Sequence, residues 1–166
     1  MDSALRVGGR FEIQHIRGGE VIDVEDVTNL VVNEGLDHLL NTVFHGGTPV
    51  STWYLGLFEA NYTPTPTVTG ATIAAAATEC TAYDETGRQE YQEGAASAQS
   101  ITNSANKATF TMNATKTIYG AFLVSNGTKG ATSGTLFSAA RFGSAKQVVD
   151  DDQLLLTYTF NASSVG

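Results

Sequence analysis

Alternating apolar and polar residues dominate the C-terminal half of the chain, and this pattern is typical of β-strands that bury one face. Residues 107–114 place Ala, Phe, Met and Ala on one face against Lys, Thr, Thr and Asn on the other. Residues 154–160 alternate in the same way. Residues 117–125 are apolar on both faces, and 135–142 form a further apolar run. The C-terminal half is therefore predicted to consist of strands.

The N-terminal segment predicts a hairpin, or arm, at about residues 9–26. Its two candidate strands, 11–16 and 21–24, flank Gly18 and Gly19, which can supply the positive φ angles of a two-residue turn. The expected cross-strand pairs are Arg17 with Glu20, Ile13 with Val24, and His15 with Ile22, with Phe11, Ile13, Ile22 and Val24 on one face.

A short apolar strand at residues 28–32 leads into the one helix that periodicity predicts, at about residues 34–45. Asn33 is a good N-cap, Glu34 places negative charge in the first turn, and Gly46 follows the last turn. The apolar residues recur at the spacing of a single helical stripe. They are Leu36, Leu39, Leu40, Val43 and Phe44.

The middle third of the chain is less regular. Residues 52–58 are apolar on both faces and predict a central strand. The Ala-rich residues 71–80 suit one or two helical turns. Residues 81–94 are polar with two tyrosines, so they predict an exposed hairpin or an extended loop.

Together these segments predict a mainly β protein. With 166 residues and no low-complexity linker, we expect a single domain over residues 1–166. Strands that are apolar on both faces lie between strands that are apolar on one face. The economical architecture is an antiparallel two-sheet β-sandwich, jelly-roll-like, with one short α-helix plugging one end or edge.

Charged residues are sparse, at 16% of the chain, against about 25% in a typical globular domain. The net charge of −8 with nine Lys and Arg residues argues against binding nucleic acid through phosphate neutralisation. No apolar run approaches the roughly 18 residues that would suggest a membrane helix. The first residues do not resemble a secretion signal, so we expect synthesis and folding in a cytoplasm.

The sequence predicts no catalytic, cofactor-binding or metal-binding residue, and we do not expect an enzyme. The single cysteine, Cys80, forms no intrachain disulfide, and we expect it to be buried or inert. His38 and His45 are two helical turns apart, about 10 Å, which is too far to share one ion. No Gly-x-Ser-x-Gly elbow or phosphate loop is present. The Asp run at 150–152 suits a solvated turn, with a divalent ion or a basic partner as alternatives.

Four segments of the chain resemble small virion structural proteins of tailed bacteriophages. Residues 28–40 match their N-L-V-V-N-x-G-L-x-x-L-L segment, and residues 53–57 match their W-Y-x-G-L strand. Residues 81–88 match their T-A-Y-D-E…R loop. Residues 110–137 are similar to their F-x-I-N-A-T-x-T-I…G-A-F…G-T-L half.

This resemblance implies a non-enzymatic component of a virion. It favours a capsid decoration, or cement, protein that binds the outside of the head and clamps neighbouring copies of the major capsid protein. The expected location is the capsid surface, after synthesis in the cytoplasm of the bacterial host. The resemblance also implies self-association into dimers or trimers. Such a protein stabilises the assembled shell by mass action.

The candidate partner contacts lie in the hairpin tip, the polar loop and the acidic run. They are Arg17, Glu20, Tyr83, Asp84, Arg88, Tyr91, Asp150, Asp151 and Asp152. The main alternative function is a tail-associated fibre or tip protein that takes part in host attachment. A carbohydrate-binding module is a further alternative and would need an aromatic platform.

Overall fold

The computed structural model describes residues 4–165, and strands dominate it. Strand residues make up 49% of the chain and helix 10%, which confirms the predicted mainly β class. The elements are β1 Ala4–Arg17, β2 Glu20–Thr28, β3 Leu30–Val31, α1 Asn33–Phe44, β4 Tyr54–Phe58, α2 Ile73–Ala76, β5 Glu79–Cys80, β6 Gln89–Glu90, β7 Ser100–Thr102, β8 Ala108–Thr111, β9 Lys116–Val124, β10 Leu136–Val148 and β11 Gln153–Val165.

The described strands form two antiparallel sheets, as the sequence predicted for a sandwich. The first sheet has the order β2-β1-β11-β7, and β8 also pairs with β11. The second has the order β3-β10-β9-β4-β5, and β6 also pairs with β4. The longest ladder joins β1 to β11, from Ala4 opposite Val165 to Ile16 opposite Gln153. The two ends of the described chain are therefore neighbours in the first sheet.

The main core lies between the two sheets, where the inner faces of β1, β4, β9 and β11 meet. Phe11, Ile13, Leu57 and Leu156 are fully buried there. Burying a side chain of this size contributes about 1.5–3 kcal/mol. The alternating patterns of β8 and β11 therefore identified their buried faces correctly.

The second sheet is covered on both sides, which explains why its strands are apolar on both faces. Its outer face carries a second buried cluster that includes Phe58, Phe122 and Val124. Ile73 and Ala77, from α2 and the residue after it, pack over that face. The predictions of a central strand at 52–58 and of helical turns within 71–80 are both confirmed. The helix count differs, because the single turn of α2 is a second helix.

Two glycines in the second sheet make room for aromatic rings on the neighbouring strand. Gly56 lies opposite Phe122 and Phe58 lies opposite Gly120 across the β4–β9 ladder. A Cβ at position 120 would lie 2.1 Å from Phe58 Cζ and 2.2 Å from the Ala140 carbonyl oxygen. The phenyl ring thus occupies the space that a side chain would need, and glycine in a strand commonly marks such an approach.

The predicted register of the β1–β2 hairpin is wrong beyond its first two pairs. Arg17 faces Glu20 and Ile16 faces Val21, but a bulge between His15 and Ile16 shifts the remaining pairs by one residue. Ile13 faces Glu25 and His15 faces Asp23. One-residue shifts reverse the faces of a strand. Ile22 and Val24 are therefore exposed, whereas the sequence placed them beside Ile13.

The ion pairs of Lys146 give the physical reason for that register. The Lys146 side chain is 2% exposed, and its Nζ lies 2.6 Å from an Asp23 oxygen and 2.5 Å from a Glu25 oxygen. A buried ammonium needs such partners, since its desolvation costs several kcal/mol. Burial alone would raise the pKa of Glu25, but hydrogen bonds from Lys146 and from the Gly143 and Ser144 N–H groups lower it.

Substitution of Gly120 by Ala should destabilise the sandwich by about 1–3 kcal/mol, because the new Cβ would overlap Phe58 and the β10 backbone. Urea unfolding measures this loss. Gly94→Ala is the matched control, since a Cβ at position 94 meets nothing within 4 Å. Equal stabilities of the two variants would contradict the tight contact at Gly120.

Candidate partner-binding surfaces and the polar clusters behind them

A buried carboxylate fastens the β1–β2 hairpin to the turn between β10 and β11. Asp152 accepts hydrogen bonds from Arg17 Nε at 2.9 Å and from an Arg17 terminal nitrogen at 2.7 Å. Its Oδ2 lies 2.7 Å from His15 Nε2 and accepts the Val149 N–H at 2.9 Å. The Asp152 side chain is 2% exposed, whereas that of Arg17 is half-exposed. The hairpin is therefore held by groups more than 130 residues apart in sequence.

The groups that surround Asp152 stabilise the ionised form of its carboxylate. They are His15, Arg17 and the Val149 N–H, and together with Asp152 we call them the Asp152 cluster. The hydrogen bond from Arg17 lowers the pKa of Asp152 most strongly, burial opposes it, and the bonds from His15 and Val149 lower it further. The net result is a pKa well below the ordinary value for Asp. A buried charge satisfied by several donors is costly to disrupt, because removing one partner leaves the others unpaired.

Five of the predicted contact residues meet at one end of the sandwich, which we call the hairpin end: Arg17, Glu20, Asp84, Asp150 and Asp151. Each of these residues is exposed. Backbone hydrogen bonds bring the loop that contains Asp84 to this end. The Asp84 N–H donates to the Thr111 carbonyl oxygen, and the Met112 N–H donates to the Asp152 carbonyl oxygen, each at 2.8 Å. Four of these five residues are acidic.

The prediction of partner contacts is wrong for four residues, because their side chains are buried. They are Asp152, Arg88, Tyr83 and Tyr91. Their side chains contribute to the interior and are not available to a partner. Asp152 differs from its exposed neighbours Asp150 and Asp151 because His15 and Arg17 lie opposite it. The sequence prediction of a solvated turn therefore holds for two residues of the acidic run.

Arg88 joins the loop after β5 to the loop after β9. It donates to both carboxylate oxygens of Glu79, at 2.8 and 2.6 Å, and to the carbonyl oxygens of Asn126 and Ala131. Its guanidinium also lies 5.2 Å from the centre of the Phe122 ring. Bidentate pairing satisfies the buried guanidinium geometrically. The segment 81–94 is largely loop with several exposed residues, as predicted, but Tyr83, Arg88 and Tyr91 turn their side chains into the interior.

The two tyrosines of this segment pack into the main core. Tyr83 meets Phe110 edge-on at 5.1 Å, and Tyr91 meets Tyr158 at 5.5 Å. Both hydroxyl groups are buried and lack a hydrogen-bond partner within residues 4–165. Burial raises the pKa of each hydroxyl, so both stay protonated. Short pairings of β5 and β6 with β4 draw the segment onto the sheet.

An exposed apolar cluster lies on β2, and we call it the edge cluster: Val21, Ile22 and Val24. Val24 retains 53% of its full exposure, and the other two are similarly open. The strand order places β2 at the edge of the first sheet, with one side of its backbone unpaired in that sheet. An edge strand of nine residues with apolar side chains is an uncommon surface for a protein that stays alone.

The helix exposes much of its predicted stripe. Leu40, Val43 and Phe44 are exposed, and Phe44 retains 82% of its full exposure. The helix instead approaches β10 through Gly35, where a Cβ would lie 2.5 Å from the Phe137 carbonyl oxygen. Helix periodicity fixed which residues share a face but gave no information on which face meets the sheet. Val32, rather than Asn33, precedes the first helical residue, and no side chain caps the helix.

Residues 4–165 contain no group of three or more His, Cys, Asp or Glu side chains placed to hold a metal ion. Cys80 is buried, as the sequence indicated, and burial raises the pKa of its thiol to about 12. No helix in the described part of the chain is long and apolar enough to cross a membrane.

Comparison of the chain with protein-family models and with curated proteins found no match.

Asp152→Asn should lower the free energy of unfolding by about 2–3 kcal/mol at neutral pH, because it removes the charge that His15 and Arg17 face. The folded-state pKa of Asp152 is lowered, so its contribution is present above the unfolded value of about 3.9 and is lost as pH falls through the folded pKa. The variant should therefore lose less stability than the parent on acidification. Urea unfolding at a series of pH values measures both effects.

The exposed Asp150→Asn is the matched control and should keep the parent's stability and acid slope. An Asp152→Asn variant with the parent's slope would show that this carboxylate does not control acid stability.

Proposed function

We propose that this protein is a capsid decoration, or cement, protein of a tailed bacteriophage, which binds the outside of the head and stabilises contacts between major capsid protein subunits. Binding is its output, and no catalysis is involved. The resemblance of residues 28–40, 53–57, 81–88 and 110–137 to small virion proteins supports the particle context. The exposed apolar surfaces support a role in protein binding.

The observation that carries the proposal is the edge cluster on β2. Val21, Ile22 and Val24 expose apolar area on a strand whose outer side is unpaired in its sheet. Such an edge can accept a strand of a partner through backbone hydrogen bonds while its side chains provide apolar contact. In this proposal β2 is the strand that docks onto the capsid protein.

The ion pairs behind β2 support its use as a docking edge. Lys146 on β10 contacts Asp23 and Glu25 of the strand. Asp152 holds Arg17 at the hairpin tip. An edge that is fixed before binding loses little conformational entropy when it docks. The same contacts explain why the edge cluster faces outward.

The exposed charges at the hairpin end indicate which charge the partner surface should carry. Glu20, Asp84, Asp150 and Asp151 are exposed beside the hairpin tip. An acidic rim around an apolar contact steers a basic surface into position and affects the association rate more than the final affinity. The proposed partner surface on the capsid is therefore apolar at its centre and basic at its margin.

Quantifying this chain in purified particles of the phage that encodes it tests the proposal directly. We expect copy numbers comparable to that of the major capsid protein, because a decoration protein occupies repeated positions of the lattice. Mild treatment that strips the chain should leave less stable shells. A few copies per particle would instead support the tail-associated alternative, and absence from particles would refute both.

Val24→Lys tests the docking edge. The substitution puts a charge into the apolar contact, and we expect binding to stripped shells to weaken at least about tenfold, or about 1.4 kcal/mol. Co-sedimentation with shells measures the affinity. Leu5→Lys is the matched control, because Leu5 is exposed on β1 beyond the end of β2. Equal loss in both variants, or in neither, would exclude β2 as the docking strand.

A further inference from the structure

Two adjoining hollows lie on the outer face of the first sheet, the face that points away from the main core, and they share Arg10. The first, which we call the arginine hollow, measures about 410 Å³, and its lining includes Arg6, Gly8, Arg10, Thr28, Asn161 and Ser163. The second, which we call the hydroxyl hollow, measures about 320 Å³, and its lining includes Arg10, Glu12, Thr102, Ser104, Lys107 and Thr159. Both volumes fall within the range of about 300–1,000 Å³ that is usual for small-molecule sites.

The ladder between β1 and β11 builds the arginine hollow. Arg6, Gly8 and Arg10 alternate along β1 and therefore share one face, with each arginine Cα about 7 Å from that of Gly8. An extended arginine side chain covers a similar length, so both guanidinium groups can reach one molecule above Gly8. A Cβ at position 8 would meet nothing within 4 Å, which leaves the floor open. Asn161 lies opposite Gly8 and Ser163 lies opposite Arg6, so β11 adds an amide and a hydroxyl.

Positive charge is concentrated at these hollows, although the chain has a net charge of −8. Three of its nine Lys and Arg residues line them, and within the described chain the arginine hollow has no carboxylate in its lining. Arg10 Nε lies 3.8 Å from an Asp26 oxygen, and both side chains are at least half-exposed. Such a pair contributes little, so Arg10 can turn toward a ligand. Guanidinium groups match phosphate oxygens in a bidentate geometry, and two of them favour a doubly charged phosphate.

The hydroxyl hollow has a different lining that suits a sugar. Thr102, Ser104 and Thr159 contribute hydroxyl groups, and the Thr159 hydroxyl donates to Thr102 Oγ1 at 2.9 Å. Lys107 Nζ lies 3.2 Å from a Glu12 oxygen, which places a donor and an acceptor side by side. No apolar or aromatic side chain lines this hollow among residues 4–165. A ligand here gains hydrogen bonds without burying apolar area, as the hydroxyl groups of a polyol can.

We propose that the two hollows together bind a sugar phosphate, that is, a phosphate monoester of a sugar or of another polyol. The phosphate lies above Gly8 between Arg6 and Arg10, and the sugar hydroxyls occupy the hydroxyl hollow. A monoester carries close to two negative charges at neutral pH, since its second pKa is about 6. This site does not depend on the docking edge of β2 or on the proposed capsid role.

Titration of the full, ¹⁵N-labelled chain with glucose 6-phosphate, followed by NMR, tests the site. Sodium chloride keeps the ionic strength constant, because exposed charges are screened by salt. We expect a saturable shift of the Gly8 amide signal with a dissociation constant of about 1 mM or lower. Inorganic phosphate should bind at least about fivefold more weakly, because it lacks the hydrogen bonds of the sugar. Glucose alone should not shift the Gly8 signal.

Four variants locate the two parts of the ligand. Arg6→Gln and Arg10→Gln should each weaken glucose 6-phosphate about tenfold, since each removes a charged bidentate contact. Arg141→Gln is the matched control, because Arg141 is an exposed arginine of β10 that lines neither hollow. Thr102→Val should weaken glucose 6-phosphate about fivefold and leave inorganic phosphate unchanged. Thermal unfolding checks that each variant keeps the fold of the parent.

Three results would overturn the proposal. The first is the absence of a saturable shift at Gly8, and the second is a shift that persists unchanged in the Arg6→Gln and Arg10→Gln variants. The third is equal affinity for inorganic phosphate and glucose 6-phosphate, which would remove the sugar from the hydroxyl hollow. Phosphoserine carries the same monoester without a sugar, and tighter binding of phosphoserine would indicate a phosphopeptide instead. None of these results bears on the number of copies in purified particles, so the two proposals can fail separately.

Discussion

The antiparallel ladder between β1 and β11 is the interaction on which the rest of the structure depends. It joins the first and last described strands over thirteen paired positions and forms the centre of the first sheet. β2 attaches to one side of the ladder, and β7 and β8 attach to the other. At one end the ladder meets the Asp152 cluster, and at the other Tyr158 and Phe160 of β11 line an open apolar pocket. The hairpin end and this pocket therefore both take their positions from one pairing.

The two ends of the molecule differ in the side chains that line them. At the hairpin end a buried carboxylate organises the interior, and further carboxylates remain exposed around it. At the other end aromatic rings line the apolar pocket beside a helix that exposes Leu40, Val43 and Phe44. Buried ion pairs are often neutral for stability but can specify one arrangement. Here Lys146 and Asp152 specify the hairpin register, and that register exposes the edge cluster.

The sequence predicted the strands well because their patterns report burial directly. Alternation in β8 and β11 identified one buried face, and apolar residues on both faces of β4 indicated a central strand, which the structure places in a sheet covered on both sides. Candidate contacts were harder to predict. Tyr83, Arg88 and Tyr91 lie in a polar segment, and composition gave no sign that short pairings with β4 would bury them.

By itself, the sequence determined the class of the fold, the helix with its apolar stripe and the burial of Cys80, since each depends on local composition and period. Only the tertiary structure decided which face of α1 meets the sheet, which carboxylate of 150–152 is buried, and which side of β2 faces outward. The physical reason is that each of these outcomes depends on a distant partner. Phe137 approaches Gly35, His15 and Arg17 select Asp152, and Lys146 pairs with Asp23 and Glu25.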